Sequence, residues 1–298
     1  MTNTGTINVG ITEMPPRVRE FRRFLRIFFS RGLVIFGLVI VVLFLLTAAF
    51  AELLAPYDPY APDLQNALSP PTAQHWLGTD NIGRDTLSRI IFGTRISLMV
   101  GVIAVGIAAG LGMTLGLIAG YFGGWVYTVI MRFMDALMAF PMIVLALLIT
   151  QLLGGGLVNV MIALGISLTP GYARIMCGQV LSIRENDYIM AEHSMGASNV
   201  RIMLRHILPN SIPPLIVMIT MMMGTSILAE AGLSYLGIGV ELPTATWGGM
   251  VSDGYVYLTR SPILSFAPGI AIMVVVFAFN MVGDGLRDAL DPRLRGIL

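Results

Sequence analysis

The chain has 298 residues, of which 56% are hydrophobic and only 12% charged, against about half and about a quarter in ordinary soluble domains. Its net charge of +1 comes from 18 arginines, no lysine and 17 acidic residues, which excludes a bulk field for nucleic acid, a Walker A phosphate loop and Schiff-base chemistry. A lone cysteine, Cys177, excludes a disulfide framework or a multi-cysteine metal centre, and His75, His193 and His206 lie too far apart in sequence to suggest a metal site.

Lipid is therefore the solvent, and a helix crossing it needs about 20 apolar residues. Residues 1–32 form an arginine-rich tail. The first span is read over 33–53, around the uncharged run Leu33–Ala51. Residues 54–94 form a long outer loop rich in Pro and Asp. Within it, Asp80, Gly83, Arg84 and Asp85 are candidate outer-loop site residues, and the simplest reading pairs Arg84 or Arg89 with Asp80 or Asp85 to pin the loop to the bundle. Residues 95–285 form a five-helix core. Its first span, near 96–120, carries Gly101, Gly106, Gly110, Gly112, Gly116 and Gly120, a device for close helix packing.

Spans near 133–153 and 157–177 are separated by Gly154-Gly155-Gly156, a helix breaker. Arg132 and Asp135, three residues apart, are read as a local ion pair. The longest inner loop covers 178–212, a fifth span covers about 213–235, a sixth about 263–282, and residues 286–298 form a tail. Glu230, in the fifth span, has small and apolar neighbours in sequence; lining of a translocation path and an interhelix hydrogen bond both remain open for it.

Orientation follows the arginines. With the amino terminus inside, 14 lie at inner segments and four outside (Arg84, Arg89, Arg95 and Arg260). The expected fold is thus an all-α membrane protein of six transmembrane helices with both termini cytoplasmic.

The inner loop reads Arg184-Glu185-Asn186-Asp187-Tyr188-Ile189-Met190-Ala191-Glu192-His193-Ser194-Met195-Gly196 and continues to Leu208-Pro209. Asp187 is expected to cap a two-turn helix that stops at Gly196. Ser198 or Asn199 would cap a second short helix ending before Pro209. Physics alone leaves open a rigid knob or an amphipathic loop lying on headgroups.

The loop resembles the cytoplasmic loop of binding-protein-dependent ABC importer permeases, with Ala191, Gly196 and Leu208-Pro209 at the matching positions. Met190 stands where that family usually has Glu, and Glu192 where it has Ala. Leu77-Gly78-Thr79-Asp80-Asn81-Ile82-Gly83-Arg84-Asp85, Gly120-Tyr121-Phe122-Gly123-Gly124, Met131-Arg132-Phe133-Met134-Asp135 and Ala229-Glu230-Ala231-Gly232-Leu233-Ser234-Tyr235 resemble the dipeptide/oligopeptide/nickel subfamily, C-type subunit. So does Gly283-Asp284-Gly285-Leu286-Arg287.

The resemblance implies the type I importer permease fold and transport of dipeptides or oligopeptides, with nickel or glutathione-like solutes as the alternative. It implies a second homologous permease subunit, two ATP-binding subunits and an extracytoplasmic solute-binding protein as partners, in a bacterial cytoplasmic (inner) membrane. This chain would be no enzyme and hold no cofactor, since ATP would be bound by the partner subunits. Tyr188, Ile189, Ala191, Glu192, Met195, Gly196, Leu208 and Pro209 would form the ATPase-coupling loop. An ATP-independent secondary transporter and a membrane-embedded enzyme are the competing classes. Neither inverted repeats nor a cluster of His, Asp and Glu on one membrane face is apparent in the sequence.

Overall fold

A computed structural model describes residues 16–240 and 243–290, and every regular element among them is helical. The outermost parts of the two tails, 1–15 and 291–298 with Arg293 and Arg295, lie outside the described residues. Helix α1 (Pro16–Phe28) leads into α2 (Gly32–Ala49), apolar on all sides, with Leu33, Phe36 and Leu43 exposed as expected of a helix bathed in hydrocarbon. A single turn, α3 (Ala51–Leu54), ends the span.

The outer loop is shorter than 54–94, because α4 (Thr86–Phe122) begins nine residues before the expected boundary. Its start is fixed by Asp85, whose carboxylate accepts from the Ser88 amide at 2.8 Å and the Ser88 hydroxyl at 2.7 Å. The expected third span is not one helix. It divides into α5 (Gly124–Met138) and α6 (Met142–Leu153), bent by 94°. Pro141 causes the break: it disfavours helical backbone at Phe140 and donates no amide hydrogen bond. Among the described residues, five helices are long and apolar enough to cross a membrane, or six with the bent pair counted as one span.

Helix α7 (Leu157–Arg184) runs parallel to α4 at very close range. A Cβ added at Gly112 would lie 2.5 Å from that of Tyr172, and one at Gly116 would lie 2.4 Å from the Ala173 carbonyl oxygen. The short helices α8 (Asp187–Ser194) and α9 (Asn199–Ile202) follow. The second of these does not stop before Pro209. It widens into a π turn over Met203–Ile207 and continues as α10 (Leu208–Tyr235). The wider turn precedes Pro209, which has no amide to donate to the carbonyl four residues earlier.

Helix α11 (Trp247–Tyr255) folds back against the start of α4, and Trp247 donates from Nε1 to the Ile90 carbonyl at 2.9 Å. Helix α12 (Ile263–Leu290) returns antiparallel to α2, with Gly37 against Met281, Gly285 against Val34, and Arg31 paired to Asp288 at 2.9 Å. The start of α2 and the end of α12 therefore lie on one side, together with the end of α4 and with α8. A core of Tyr172, Met176, Val180, Leu215, Ile227, Trp247 and Phe279 joins the bundle.

Candidate functional site

At the end of the bundle that carries α8, the chain builds a projecting knob. Asn186, not Asp187, is the N-cap of α8; Asp187 lies in the first turn, where its charge suits the helix dipole. The helix ends in a paired C-terminal turn. The Ala197 amide donates to Glu192 at 3.1 Å and the Gly196 amide to His193 at 3.0 Å, which requires the φ of +80° that Gly196 supplies. Ser198 then caps α9, accepting from the Arg201 amide at 3.4 Å.

The knob is fastened from below. Ile189, Ile202 and Ile207 are fully buried and pack with Tyr121 and Val180. Tyr121 donates from its hydroxyl to Asn199 Oδ1 at 2.9 Å, and its ring stacks on that of His193 at 6.2 Å. Arg184 donates to the carbonyls of Gly120 and Tyr121 at 3.2 and 3.1 Å, capping the end of α4.

The expected coupling residues divide accordingly. Tyr188, Ala191, Met195 and Gly196 are exposed. Ile189 is buried inside the chain and contributes nothing to the outer surface. Glu192 pairs with His206 at 3.5 Å. Leu208 packs against the core, and Pro209 borders a cavity between helices. Sequence reasoning missed three exposed apolar side chains of the knob, Met190, Val200 and Leu204. Their signal was present as non-polar residues interleaved with Ile189, Ile202 and Ile207 in the sequence.

At the other end, the outer loop is tied to α4 by Asp80. Its Oδ1 accepts from the Ile82 and Arg84 amides at 3.0 and 2.9 Å; its Oδ2 accepts from Arg84 Nε at 2.6 Å and faces Arg89 Nε at 3.6 Å. Arg89, 2% exposed, also donates to the Pro59 carbonyl at 3.2 Å. Asp85 pairs with His75 at 2.9 Å. Gly83, at φ +84°, lies where a Cβ would collide with the Asp63 carbonyl. The four outer-loop residues thus form one fastening. Asp253 of α11 lies in the field of the same arginines; burial pushes its carboxyl up, and Arg89 and Arg84 oppose that shift.

Two charge expectations change. Asp135 pairs with Arg174 of α7 at 2.7 Å rather than with Arg132, so the bond joins two helices instead of two turns. Glu230 is fully buried, and its Oε1 accepts from the Ser234 hydroxyl at 2.6 Å within α10, so the contact is intrahelical. Among the described residues no cluster of His, Cys, Asp and Glu has metal-ligand geometry.

The chain is similar to known proteins over most of its length. Residues 112–296 match the family described as binding-protein-dependent transport system inner membrane component. Residues 20–71 match the N-terminal transmembrane domain of oligopeptide transport permease C. A dipeptide transport system permease protein of Alkalihalophilus pseudofirmus is 46% identical over 263 residues, 88% of this chain and 86% of that one. A glutathione transport system permease protein of Escherichia coli is 42% identical over 285 residues, 95% and 94% of the two chains. The MetNI methionine ABC transporter, in an inward-facing conformation, superposes with a TM-score of 0.56 at 19% identity, covering 68% of this chain and 96% of that one, which speaks to the fold alone. An apolar multi-helix bundle with a fastened knob at one end, matched by this family across more than half its length, belongs to the binding-protein-dependent transport system inner membrane components: it is a multi-pass permease subunit of an ABC importer, of the C type.

Proposed function

We propose that the chain forms half of a translocation path for dipeptides and short oligopeptides, in a bacterial cytoplasmic membrane with both termini inside. A second homologous permease subunit would supply the other half. Two ATP-binding subunits would engage the knob, and a solute-binding protein would deliver cargo to the outer face. ATP would then be bound and hydrolysed only on the partners, so this subunit needs no cofactor of its own.

The observation that carries the reading is α8. It is a two-turn helix fixed to α4 and α7 through Ile189, Tyr121 and Arg184, with Tyr188, Met190 and Met195 turned outward. Exposed apolar and aromatic side chains on a rigid mount suit a groove on a partner that must push without slipping. The bonds from Arg184 and Tyr121 would pass that push directly into the packed α4–α7 pair as rigid-body movement.

The peptide assignment draws on the 46% identity to the dipeptide permease. Glutathione is the second reading, favoured by 42% identity across 95% of the chain. The test is to co-purify the tagged chain with its partners, reconstitute the complex with its binding protein, and measure ATP-driven uptake of labelled dialanine with unlabelled glutathione as competitor. Uptake of dialanine that glutathione does not suppress is the expected outcome. Uptake of glutathione alone would select the second reading, and a chain that transports without ATPase partners would overturn both.

A further inference from the structure

Three helices of the bundle, α7, α10 and α12, leave a cavity of about 650 Å3 between their ends nearest α8. That is within the range of small-ligand sites, roughly 300–1,000 Å3. Pro209, Asn210, Gln179, Met218, Met222 and Arg287 are among the residues that line it. The backbone of this wall is unusual. Pro213 and Pro214 lie inside α10 and have no amide hydrogen, so the carbonyls four residues earlier receive no helical donor from them. Those carbonyls belong to Pro209 and Asn210, both in the cavity wall. In a membrane protein, backbone acceptors released in this way are tolerated where they are buried in protein or line a water-filled space.

We propose that this cavity is an exit-side binding site for the transported peptide. The Arg287 guanidinium would receive the peptide carboxylate, and the carbonyls of Pro209 and Asn210 would receive its ammonium or backbone N–H groups. The assignment rests on the peptide reading above and adds to it a place and a polarity. Charge complementarity selects the occupant. The site offers a cation at α12 and neutral acceptors at the start of α10, which matches a molecule with a carboxylate at one end and N–H donors along its length. The methionines Met218 and Met222 complete the wall with flexible, polarizable side chains, which adapt to cargo whose own side chains vary. Gln179 adds one neutral hydrogen-bonding group. Selection of sequence is left to other parts of the importer.

The test uses the complete transporter in vesicles, with Met218→Cys or, separately, Met222→Cys introduced. Native Cys177, the one cysteine of this chain, is buried, so background labelling of its band is low. A membrane-impermeant maleimide is added from the side of α8, with dialanine or dialanine amide as protectant and with uptake of dialanine measured in parallel. The introduced cysteines should react, and dialanine should slow the reaction. The amide, lacking the carboxylate, should need about tenfold higher concentration for the same protection, as expected for loss of a charge-assisted bond. Arg287→Gln should erase that difference. Cysteines that never react at either position, or equal protection by peptide and amide, would overturn the proposal. Uptake of dialanine without protection would overturn the exit site and leave the peptide reading standing, whereas absence of dialanine uptake by the unaltered transporter would overturn that reading and the cargo assigned here with it.

Discussion

Asp253 illustrates how the fastening at the start of α4 responds to its surroundings. Burial raises its carboxyl above the ordinary carboxylate range, against the opposing pull of Arg89 and Arg84. An acid that holds its proton more tightly folded than unfolded contributes stability on the acid side, and that contribution is lost as pH rises through its raised value. The melting temperature of the detergent-purified protein minus that of Asp253→Asn should therefore fall as pH climbs from the ordinary carboxylate range toward neutrality. A difference that stays flat with pH would show that Asp253 is solvated like any surface acid. At this scale the sequence was readable where partners are close in the chain: Asp80 with Arg84 is a four-residue step. It was not readable where partners are distant. Asp135 reaches across 39 residues to Arg174 and Glu192 reaches His206 around the turn of the knob, so a rule of local spacing named the wrong arginine for the first and had no means of naming the second.

Among the elements, α4 and α7 depend on absent side chains more than on present ones. Gly112, Gly116 and Gly120 repeat every four residues and admit the backbone of α7, whereas Gly106 and Gly110 on the same helix have nothing within 4 Å of an added Cβ. Gly116→Ile should destabilise the protein by about 2 kcal/mol or more, as overpacking does, whereas Gly110→Ala should be neutral or slightly stabilising. Thermal unfolding of the two purified variants checks both, and equal melting temperatures would refute close packing at Gly116. The glycine row was visible in the sequence as a packing stripe, but nothing in the sequence distinguished its contacting glycines from its idle ones, because that depends on which direction the partner approaches. The spans themselves were legible from uninterrupted hydrophobicity. The 94° break at Pro141 and the uninterrupted passage from α9 through Pro209 were not, since a proline reads alike in sequence whether it breaks a helix or is absorbed by a widened turn.

For the molecule as a whole, the proposed function requires that a push at the knob arrive at the path. Gly196 controls the angle at which α8 leaves the chain. Space around it is open, so the penalty for a side chain is conformational, about 1–3 kcal/mol at a φ of +80°. Gly196→Val should lower ATP-driven uptake by the reconstituted complex about tenfold or more while membrane insertion persists, and Gly196→Asn, which tolerates this backbone region, should retain most uptake. Equal activity of all three forms would remove the knob from the coupling route. The length of α4 bears on the same question. Its 37 residues rise about 55 Å, close to twice the hydrocarbon thickness of about 30 Å. Asp85 and Arg89 grip its first turn, and Tyr121 and Arg184 grip its last turn beside the knob. A stiff beam of that length, tilted by about 5° around its middle, carries its two ends about 2.4 Å in opposite directions. An inward stroke on one side is thereby geared to an outward stroke on the other, by leverage alone and without a relay of side chains between them.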